Sequence, residues 1–413
     1  MSQITAGVIL VTLATGLIVP NAQDTGFLLL SLLGLWWLAG SGGWRRPGLS
    51  RAETAFVIVS LALVLAWWAA WWLHGLPDAG ERSAQRVPKL LGAIVVLLLV
   101  RRCRNLAPAW WHGLTIGAWG AGIYALWYVL SGQVGHYEGR VEGPTNPIYF
   151  GGLSLAFCLM LLPRIADPEQ PPHIRGLAAG GAGLALLANA LSGSRGAWIA
   201  IPVMLLVYVP TIGRRYRPAW RLGVPVGAGA LCLLVLLTPL LPTQERLADT
   251  VQELHQIGQG VQADGAIGRR IQMWQIAVSL IAERPWLGVG PQAFRDALEA
   301  GVASGRYSPF LLDYTHPHNA FLSTMLMLGI PGLVLQILLM FTPIMTAWSR
   351  LRSESLQQRQ LAWCALAVAT VMASMALSES VFERSAGVVW FSLLIGLTLG
   401  LSARPGDQDG GSG

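Results

Sequence analysis

Long apolar runs separated by short polar connections make up most of this chain. A helical run of about 20 apolar residues matches the hydrocarbon thickness of a bilayer, and the pattern predicts about twelve such helices. They are expected at residues 4–20, 26–40, 53–74, 88–101, 109–131, 147–163, 174–191, 196–212, 222–241, 316–346, 361–378 and 386–402. The first run has no strongly basic start and no small-residue cleavage site, so it is expected to be an uncleaved span. The pattern predicts an all-α, polytopic membrane protein.

One long polar stretch, residues 242–315, interrupts the apolar runs. Apolar residues recur there at spacings of three and four over 244–257 and again over 271–283, which predicts two amphipathic helices. The Gly-rich residues 258–268 predict a bend between them, and residues 286–294 predict a turn. The expected organisation is nine spans in 1–241, a helical loop in 242–315, three spans in 316–402 and a tail in 403–413.

Composition supports a membrane protein and gives its expected orientation. Hydrophobic residues make up 54% of the 413 residues, charged residues 12%, and the mean hydropathy is +0.53. Because short cytoplasmic connections retain positive charge, the arginine-rich set of connections is expected to face the cytoplasm, together with both termini. This set holds Arg45, Arg46, Arg51, Arg101, Arg102, Arg104, Arg164, Arg175, Arg214, Arg215, Arg217, Arg221, Arg350, Arg352 and Arg359.

The net charge of +7 is therefore interpreted mainly as an orientation signal. The sequence contains no basic patch with interleaved aromatic residues, so it does not indicate a nucleic-acid partner. Four cysteines, all within or at the ends of predicted spans, do not indicate disulfide or redox chemistry. The polar loop at 242–315 is then the largest segment on the outer side of the membrane.

A series of polar motifs lies between about residues 139 and 332. In order they are Gly139-Arg140 through Asn146-Pro147, Ser192-Gly-Ser-Arg195-Gly196, Arg270-Ile-Gln-Met-Trp274, Gly288-Val-Gly290-Pro-Gln-Ala-Phe294, and His316-Pro-His318-Asn319 with Gly329 and Gly332. Together they resemble the common core of the O-antigen ligase and polymerase family. The spacing from His318-Asn319 to the two glycines resembles the bacterial O-antigen ligases within it. The first four spans match only as hydrophobic helices.

The resemblance implies a large multi-helix glycosyltransferase of the GT-C type in the bacterial inner membrane. Such an enzyme takes a polysaccharide from undecaprenyl diphosphate and joins it to lipid A-core oligosaccharide, at a site that faces the periplasm. The implied partners are this lipid-linked donor, the lipid A-core acceptor and membrane lipids, and no cofactor is implied.

Arginine suits a diphosphate because its planar guanidinium stays charged and can donate two parallel hydrogen bonds to phosphate oxygens. Arg195 lies between Ser194 and Gly196 at a tight turn between two predicted spans, where a charge is costly without a purpose. Snorkelling from a helix end is the alternative interpretation. Ser194 is expected to support the turn.

Two further diphosphate-binding arginines are implied by the resemblance. Arg270 matches the family position four residues before Trp274, and Arg140 lies in the first of the motifs. Arg269, next to Arg270, is expected either to support the site or to be a solvated neighbour.

His318 is the candidate general base. A sugar hydroxyl must lose its proton as it attacks the anomeric carbon, and a neutral histidine can accept that proton near physiological pH. A single attack opposite the departing diphosphate would invert the anomeric centre. The simpler alternative is that His318 and Asn319 only cap a helix. Asn319 is otherwise a supporting residue.

His316 is expected to support the loop and, if the segment is helical, to point away from His318. The two histidines have no third ligand nearby in sequence, and structural zinc takes four ligands. No metal is therefore expected. Three other functions stay open: an O-antigen polymerase, a protein O-oligosaccharyltransferase of the same superfamily, and a transporter or flippase for a lipid-linked glycan.

Overall fold

A computed structural model describes residues 1–41, 48–74, 86–133, 139–212 and 265–403, with scattered positions between 213 and 264. The described part is all-helical, as predicted. Its α-helices are α1 Ser2–Thr15, α2 Ala22–Ser41, α3 Arg51–His74, α4 Lys89–Arg102, α5 Ala107–Leu130, α6 Pro147–Ala166, α7 Pro172–Ser192, α8 Ala200–Tyr208, α9 Ala266–Glu283, α10 Pro291–Ala303, α11 Ala320–Arg350, α12 Leu356–Ala376 and α13 Ser385–Leu401. A 3₁₀ helix occupies Pro309–Asp313.

Seven of the described helices are long and apolar enough to cross a membrane: α2, α3, α5, α6, α7, α11 and α12. The count of about twelve spans is not established by these residues. The predicted run 88–101 forms the 14-residue helix α4, and run 196–212 forms only the 9-residue helix α8. At 1.5 Å per residue, both are shorter than a bilayer core of about 30 Å. The predicted run 222–241 lies mostly outside the described residues, as do helix 244–257 and tail residues 404–413.

Burial separates central helices from peripheral ones. In α12 and α6, 89% and 83% of the most apolar 18-residue window is buried inside the protein, whereas the value for α3 is 39%. The peripheral helices expose large apolar side chains such as Trp36, Trp72 and Leu130. An apolar surface of this kind suits lipid contact. The described helices therefore form a multi-pass bundle, with α6, α12 and the largely buried α13 at its centre.

A buried ion cluster ties four helices together at one end of this bundle. Glu53 of α3 is fully buried, and its carboxylate lies 2.8 Å from guanidinium nitrogens of both Arg101 and Arg350. Arg350 also donates to the backbone oxygen of Leu399 and to Ser402 Oγ. Arg101 and Arg350 were interpreted above only as an orientation signal. That interpretation was incomplete, because both side chains are buried and paired.

The segment 265–313 forms a small second core of its own. Met273, Ile276, Leu280 and other apolar residues on one face of α9 pack against Phe294 of α10 and against the 3₁₀ helix. The periodicity of 271–283 therefore predicted this helix correctly. The prediction that 286–294 is a turn is only partly right, since α10 begins at Pro291 and Phe294 is buried within it.

Helix α11 is broken at Gly329, and the loop before α10 fills the break. Gly329 has φ +64°, and a Cβ at this position would collide with the backbone of Trp286. Ile330 N donates to Pro285 O at 2.7 Å, while Val289 N donates to Leu326 O at 2.8 Å. Because of these contacts, the 265–313 segment is fastened to α11 just after the histidine motif.

Candidate functional site

The histidine motif lies in a non-helical segment immediately before α11. Asn319 is the N-cap, and its Oδ1 accepts from Phe321 N and Leu322 N at 3.0 and 3.1 Å. The capping interpretation therefore holds for Asn319. His318 precedes the cap with φ +49°, a conformation that costs free energy in a non-glycine residue. Its ring is directed into a cluster of polar side chains.

Two anchors hold this segment in place. Trp274 Nε1, on α9, donates to Pro317 O at 2.9 Å. Asn319 Nδ2 donates to Leu377 O at 3.0 Å, which joins the motif to the turn between α12 and α13. We call residues 377–384 the connecting turn. The backbone on both sides of His318 is thereby fixed to two different elements.

The connecting turn supplies a carboxylate that sequence reasoning did not identify. Glu379 is 1% exposed, and its Oε2 lies 3.2 Å from His318 Nδ1. Its other oxygen lies 3.7 Å from His316 Nε2, an ion-pair distance rather than a hydrogen bond. The His316 and His318 rings are 4.5 Å apart, so the prediction that His316 points away from His318 is wrong. It assumed a helix, and the segment is not helical.

The contact with Glu379 fixes the tautomer of a neutral His318. An ionised carboxylate can only accept hydrogen bonds, so Nδ1 must carry the proton. Nε2 then holds the free lone pair, and no described residue donates to it. Tyr314 packs its ring edge-on against His318, with 5.2 Å between the ring centres. The imidazole is thus oriented with one nitrogen available to accept a proton.

Charge in this cluster favours an ionised Glu379 and a protonated His316. Burial alone would lower the pKa of His316, but the carboxylates of Glu379 and Glu383 outweigh it and raise this pKa above its ordinary value. Burial would likewise raise the pKa of Glu379, yet the two histidines hold it well below its ordinary range. Glu379 therefore carries its negative charge at physiological pH.

The same three residues could also coordinate a cation. Ligand atoms of His316, His318 and Glu379 lie within 4.8 Å of one another, so Glu379 is the third ligand that the sequence did not reveal. Metal ligation requires neutral histidines, however, and the neighbouring carboxylates favour the protonated form of His316. Arg384 Nε lies 3.9 Å from Glu379 and already provides a positive charge there.

The three predicted arginines line one cavity of about 760 Å³. We call it the arginine cavity. Arg140, Arg195 and Arg270 share its wall with Ser194, Ser378 and Glu253. Glu253 directs its carboxylate at the N-terminus of α9, where Ile267 N and Gly268 N donate to Oε1. Three guanidinium groups against one engaged carboxylate give this cavity an excess of positive charge, which suits an anion.

Separate elements bring these arginines together. Arg140 Nε donates to Ser192 O at 2.7 Å, at the end of α7, and Arg195 follows in the next turn. Ser194 Oγ donates to Ile148 O at 3.2 Å, so its role in the described structure is to support this turn. Arg270 lies one helical turn before Trp274 on α9, and residues at this spacing share a helix face. The tryptophan that anchors the histidine segment is therefore a neighbour of Arg270.

The turn that contains Arg195 and Gly196 is in direct contact with the connecting turn. A Cβ at Gly196 would collide with Oγ of Ser378. Ser378 lines the arginine cavity, and the next residue, Glu379, contacts His318. His318 itself is not among the residues that line this cavity. The histidine and the three arginines are thus joined through two consecutive residues of the connecting turn.

Arg269 packs away from the arginine cavity. Its guanidinium lies over the ring of Phe310, 5.4 Å from the centre, and Nη1 is 3.4 Å from the Tyr314 hydroxyl. Since Tyr314 packs on His318, Arg269 supports the cluster from outside and is not simply a solvated neighbour.

A second cavity, of about 580 Å³, lies on the other side of the connecting turn. We call it the histidine cavity, because His316 is in its wall. Glu383 and Arg384 of the connecting turn line it, together with residues from α2, α3, α6 and α10. The connecting turn is therefore shared between the two cavities.

Comparison with known proteins identifies part of this arrangement. Residues 180–337 match the O-antigen ligase family. The matched segment contains Arg195, Arg270, His318 and the broken helix at Gly329, but not Arg140 or Glu379. Two of the three arginines and the histidine therefore lie within the O-antigen ligase segment.

A second comparison finds an uncharacterized protein of Haemophilus influenzae. It is 24% identical over 219 residues, which are 51% of this chain and 53% of that relative. The chain thus matches about half the length of this relative, for which no activity is assigned.

Glu379, Glu383 and Arg384 are residues of the candidate site that the sequence interpretation missed. They occupy a short connection between two apolar helices, to which the sequence interpretation assigned no role. Two carboxylates and a guanidinium within six residues between spans are costly at a membrane surface without partners. Three charged residues in so short a connection are therefore the feature of the sequence that could have identified this part of the site.

Proposed function

We propose that this protein is an O-antigen ligase, which transfers a glycan from undecaprenyl diphosphate to a sugar hydroxyl of lipid A-core oligosaccharide. One observation carries the proposal: three arginines line a cavity that adjoins the His318–Glu379 pair through Ser378. An anion site beside a base with a free nitrogen is what glycosyl transfer from a lipid diphosphate requires.

The donor diphosphate is assigned to the arginine cavity. Neutralising its charge makes the diphosphate a good leaving group, and guanidinium groups hold phosphate oxygens in pairs without losing their own charge. Arg195 and Arg270 lie within the family segment and carry this role, with Arg140 beside them.

The acceptor hydroxyl is activated by His318. Its oxygen forms a bond to the anomeric carbon while the bond from that carbon to the diphosphate oxygen breaks. Nε2 of His318 takes the hydroxyl proton, and Glu379 stabilises the resulting imidazolium, as a carboxylate does for a catalytic histidine. Undecaprenyl diphosphate leaves with the bonding electrons, and this single displacement inverts the anomeric centre.

The reaction proposed here uses no metal or other cofactor. In this mechanism the arginines supply the positive charge that a metal would otherwise provide. The polymerase and protein O-oligosaccharyltransferase alternatives share the donor and differ in the acceptor.

The proposed setting is the bacterial inner membrane, with both termini in the cytoplasm. The Glu53 cluster and most of the arginines assigned to the cytoplasm then lie at one end of the bundle, and the site faces the periplasm. Segment 242–315 is the proposed periplasmic loop, between spans in 1–241 and 316–402, with 403–413 as the cytoplasmic tail.

Purified protein tests this function directly. We expect it to join a lipid-linked glycan to lipid A-core in the presence of a strong chelator, with the product resolved on a gel. His318→Ala should slow transfer by about 10²- to 10⁴-fold, the usual scale for loss of a general base. Arg270→Lys keeps the charge but loses the paired grip, so it should also impair transfer.

Two matched variants serve as controls. His173→Ala removes an exposed histidine at the start of α7, and Arg306→Lys changes an exposed arginine outside both cavities. Both should transfer at the wild-type rate. Product formed only with a second lipid-linked repeat as acceptor would make the protein a polymerase, and normal turnover by His318→Ala would refute the assigned base. Movement of the donor across vesicles without transfer would favour a transporter.

A further inference from the structure

His316, His318 and Glu379 form a group of side chains with the spacing of metal ligands. Each offers one ligand atom, and these atoms lie within 4.8 Å of one another. We call the three residues the His–His–Glu triad. His318 Nδ1 lies 3.2 Å from Glu379 Oε2, and His316 Nε2 lies 3.7 Å from Glu379 Oε1. Ligand atoms about 2.1 Å from a tetrahedral ion lie about 3.4 Å from one another. Small side-chain rotations would therefore bring all three residues onto one ion.

Two atoms of the triad, His316 Nε2 and Glu379 Oε1, have no hydrogen-bond partner in the described structure. Glu379 is 1% exposed, and buried polar atoms are almost always hydrogen-bonded. The two atoms face each other at 3.7 Å, which is too long for a hydrogen bond. An ion between them would give both atoms a partner. The side chains of His316 and His318 are 13% and 16% exposed, and His316 lines the histidine cavity, so an ion can approach from there.

The surroundings of the triad also suit a divalent cation. His316 Nδ1 lies 3.1 Å from Thr315 Oγ1 and 3.8 Å from Glu383 Oε2. A histidine that binds a metal through one nitrogen usually donates from the other to such an oxygen, which fixes its ring. The carboxylates that attract a proton to His316 attract a cation as well, so the two compete for Nε2. Arg384, which is 3.9 Å from Glu379, has a side chain that is 44% exposed and can turn toward solvent.

We propose that the His–His–Glu triad binds Zn²⁺ and that the bound ion inhibits transfer. Two imidazole nitrogens and one carboxylate are a ligand set that Zn²⁺ takes in proteins, with a water molecule in the fourth position. Ca²⁺ and Mg²⁺ prefer oxygen ligands, so they fit this set poorly. The inhibitory role rests on the proposed function, in which His318 is the base and no metal takes part.

Inhibition follows from the tautomer of His318. Without the ion, Glu379 holds the proton of the neutral ring on Nδ1, and the lone pair of Nε2 is free. Zn²⁺ binds a nitrogen lone pair, so its binding to Nδ1 moves this proton to Nε2. His316 releases its own proton to solvent when its Nε2 binds the ion. His318 Nε2 then has no lone pair for the acceptor hydroxyl, and the proposed base is lost.

Metal binding is tested on the full-length protein in detergent, without a histidine tag and with Zn²⁺ alone as the probe. We expect competition with a coloured chelator to show one tight Zn²⁺ site per chain. Co²⁺ in its place should give the visible absorption of a tetrahedral ion. His316→Gln removes one ligand, so it should weaken Zn²⁺ binding by more than about 10-fold and abolish this absorption.

His173→Gln is the matched control, because His173 is an exposed histidine at the start of α7 and lines neither cavity. It should bind Zn²⁺ as tightly as the wild type. Zn²⁺ should raise the midpoint of thermal unfolding of the wild type and of His173→Gln, but not that of His316→Gln. The midpoints without Zn²⁺ verify that all three proteins are folded.

The effect on transfer is measured by adding Zn²⁺ at a concentration that saturates the wild-type site. We expect transfer by the wild type and by His173→Gln to slow by about 10²- to 10⁴-fold, the scale for loss of a general base, and a chelator to restore it. The same addition should leave the remaining transfer by His316→Gln unchanged.

Equally tight Zn²⁺ binding by wild type and His316→Gln would overturn the metal site. Transfer that bound Zn²⁺ speeds, or leaves unchanged, would overturn its inhibitory role while the ligase function stands. Zn²⁺ binding that depends on His316, in a protein that transfers nothing to lipid A-core, would uphold the metal site while the ligase function fails.

Discussion

The carboxylate of Glu379 contacts two histidines at once, with one oxygen toward each ring. His318 uses this contact to hold its proton on Nδ1, and His316 uses it to stay charged. The two histidines of one motif therefore have different roles. In the reaction proposed above, His318 is the base and His316 is a positive charge beside it.

The pH dependence of stability follows from the ion pair between His316 and Glu379. The pKa of His316 is raised, so its contribution is fully present below its unfolded value of 6.5 and is lost as pH rises through the folded value. The pKa of Glu379 is lowered, so its contribution is present above 4.5 and is lost as pH falls through the folded value. Both contributions are fully present together only between these two limits.

Glu379→Gln should therefore lower the midpoint of thermal unfolding most between about pH 4.5 and 6.5. The difference from wild type should narrow above that window, as His316 loses its proton. Transfer should also slow by about 10- to 100-fold, because the amide no longer stabilises the imidazolium of His318.

Glu383→Gln is the control for this variant, because Glu383 contacts only His316 of the two rings, at 3.8 Å. It should keep the tautomer of His318 and most of the transfer rate. A Glu379→Gln enzyme with full activity, or with a stability difference that is constant from pH 5 to 9, would contradict the roles assigned here.

At the scale of elements, the break in α11 decides where the site is. Gly329 allows the helix to open, and the backbone of residues 285–290 docks into the opening. Helices α9 and α10 are fastened in this way to the element that begins with the histidine motif. Arg270 and Trp274 depend on that attachment for their position.

Gly329→Ala should dislodge this loop. The positive φ of the site and the collision with the Trp286 backbone together should destabilise the folded protein by about 2–4 kcal/mol. Limited proteolysis should then cut within 284–290, and transfer should fall because the α9 arginine is displaced. Gly7→Ala is the control, since a Cβ on this glycine of α1 meets open space. Resistance to protease equal to that of wild type would contradict loop docking.

The sequence predicted the helices well and this break poorly. The apolar runs and the amphipathic helix at 271–283 could be predicted because they depend on the local periodicity of apolar residues, which is visible in a single sequence. Gly329 falls inside an apolar run, and only the arrival of Trp286, about forty residues earlier, shows why a glycine is needed. Glu379 was missed for the same reason, because its partner His318 is 61 positions away in the chain.

Across the whole molecule, the ion cluster and the two cavities occupy opposite ends of the same helices. Helix α3 carries Glu53 near its start and Trp67 near its end, and α11 begins next to His318 and ends at Arg350. The cluster therefore holds α3 and α11 together at the end that is farther from the histidine motif.

Glu53→Gln should destabilise the protein by about 3–5 kcal/mol, because it leaves two buried guanidinium groups without a counter-charge. Glu299→Gln is the control, since Glu299 forms an exposed pair with Arg295 and should change stability by less than about 1 kcal/mol. The comparison is made by measuring the midpoint of thermal unfolding of both variants in the same detergent. Equal unfolding midpoints would show that the cluster is not a structural tie.

The connecting turn, as a wall common to both cavities, also has a consequence for substrate binding. Ser378 lines one cavity, and Glu383 and Arg384 line the other. With the donor diphosphate in the arginine cavity, as proposed, the histidine cavity stays open to a second molecule. Two substrates can then be bound at the same time, so we expect transfer to pass through a ternary complex.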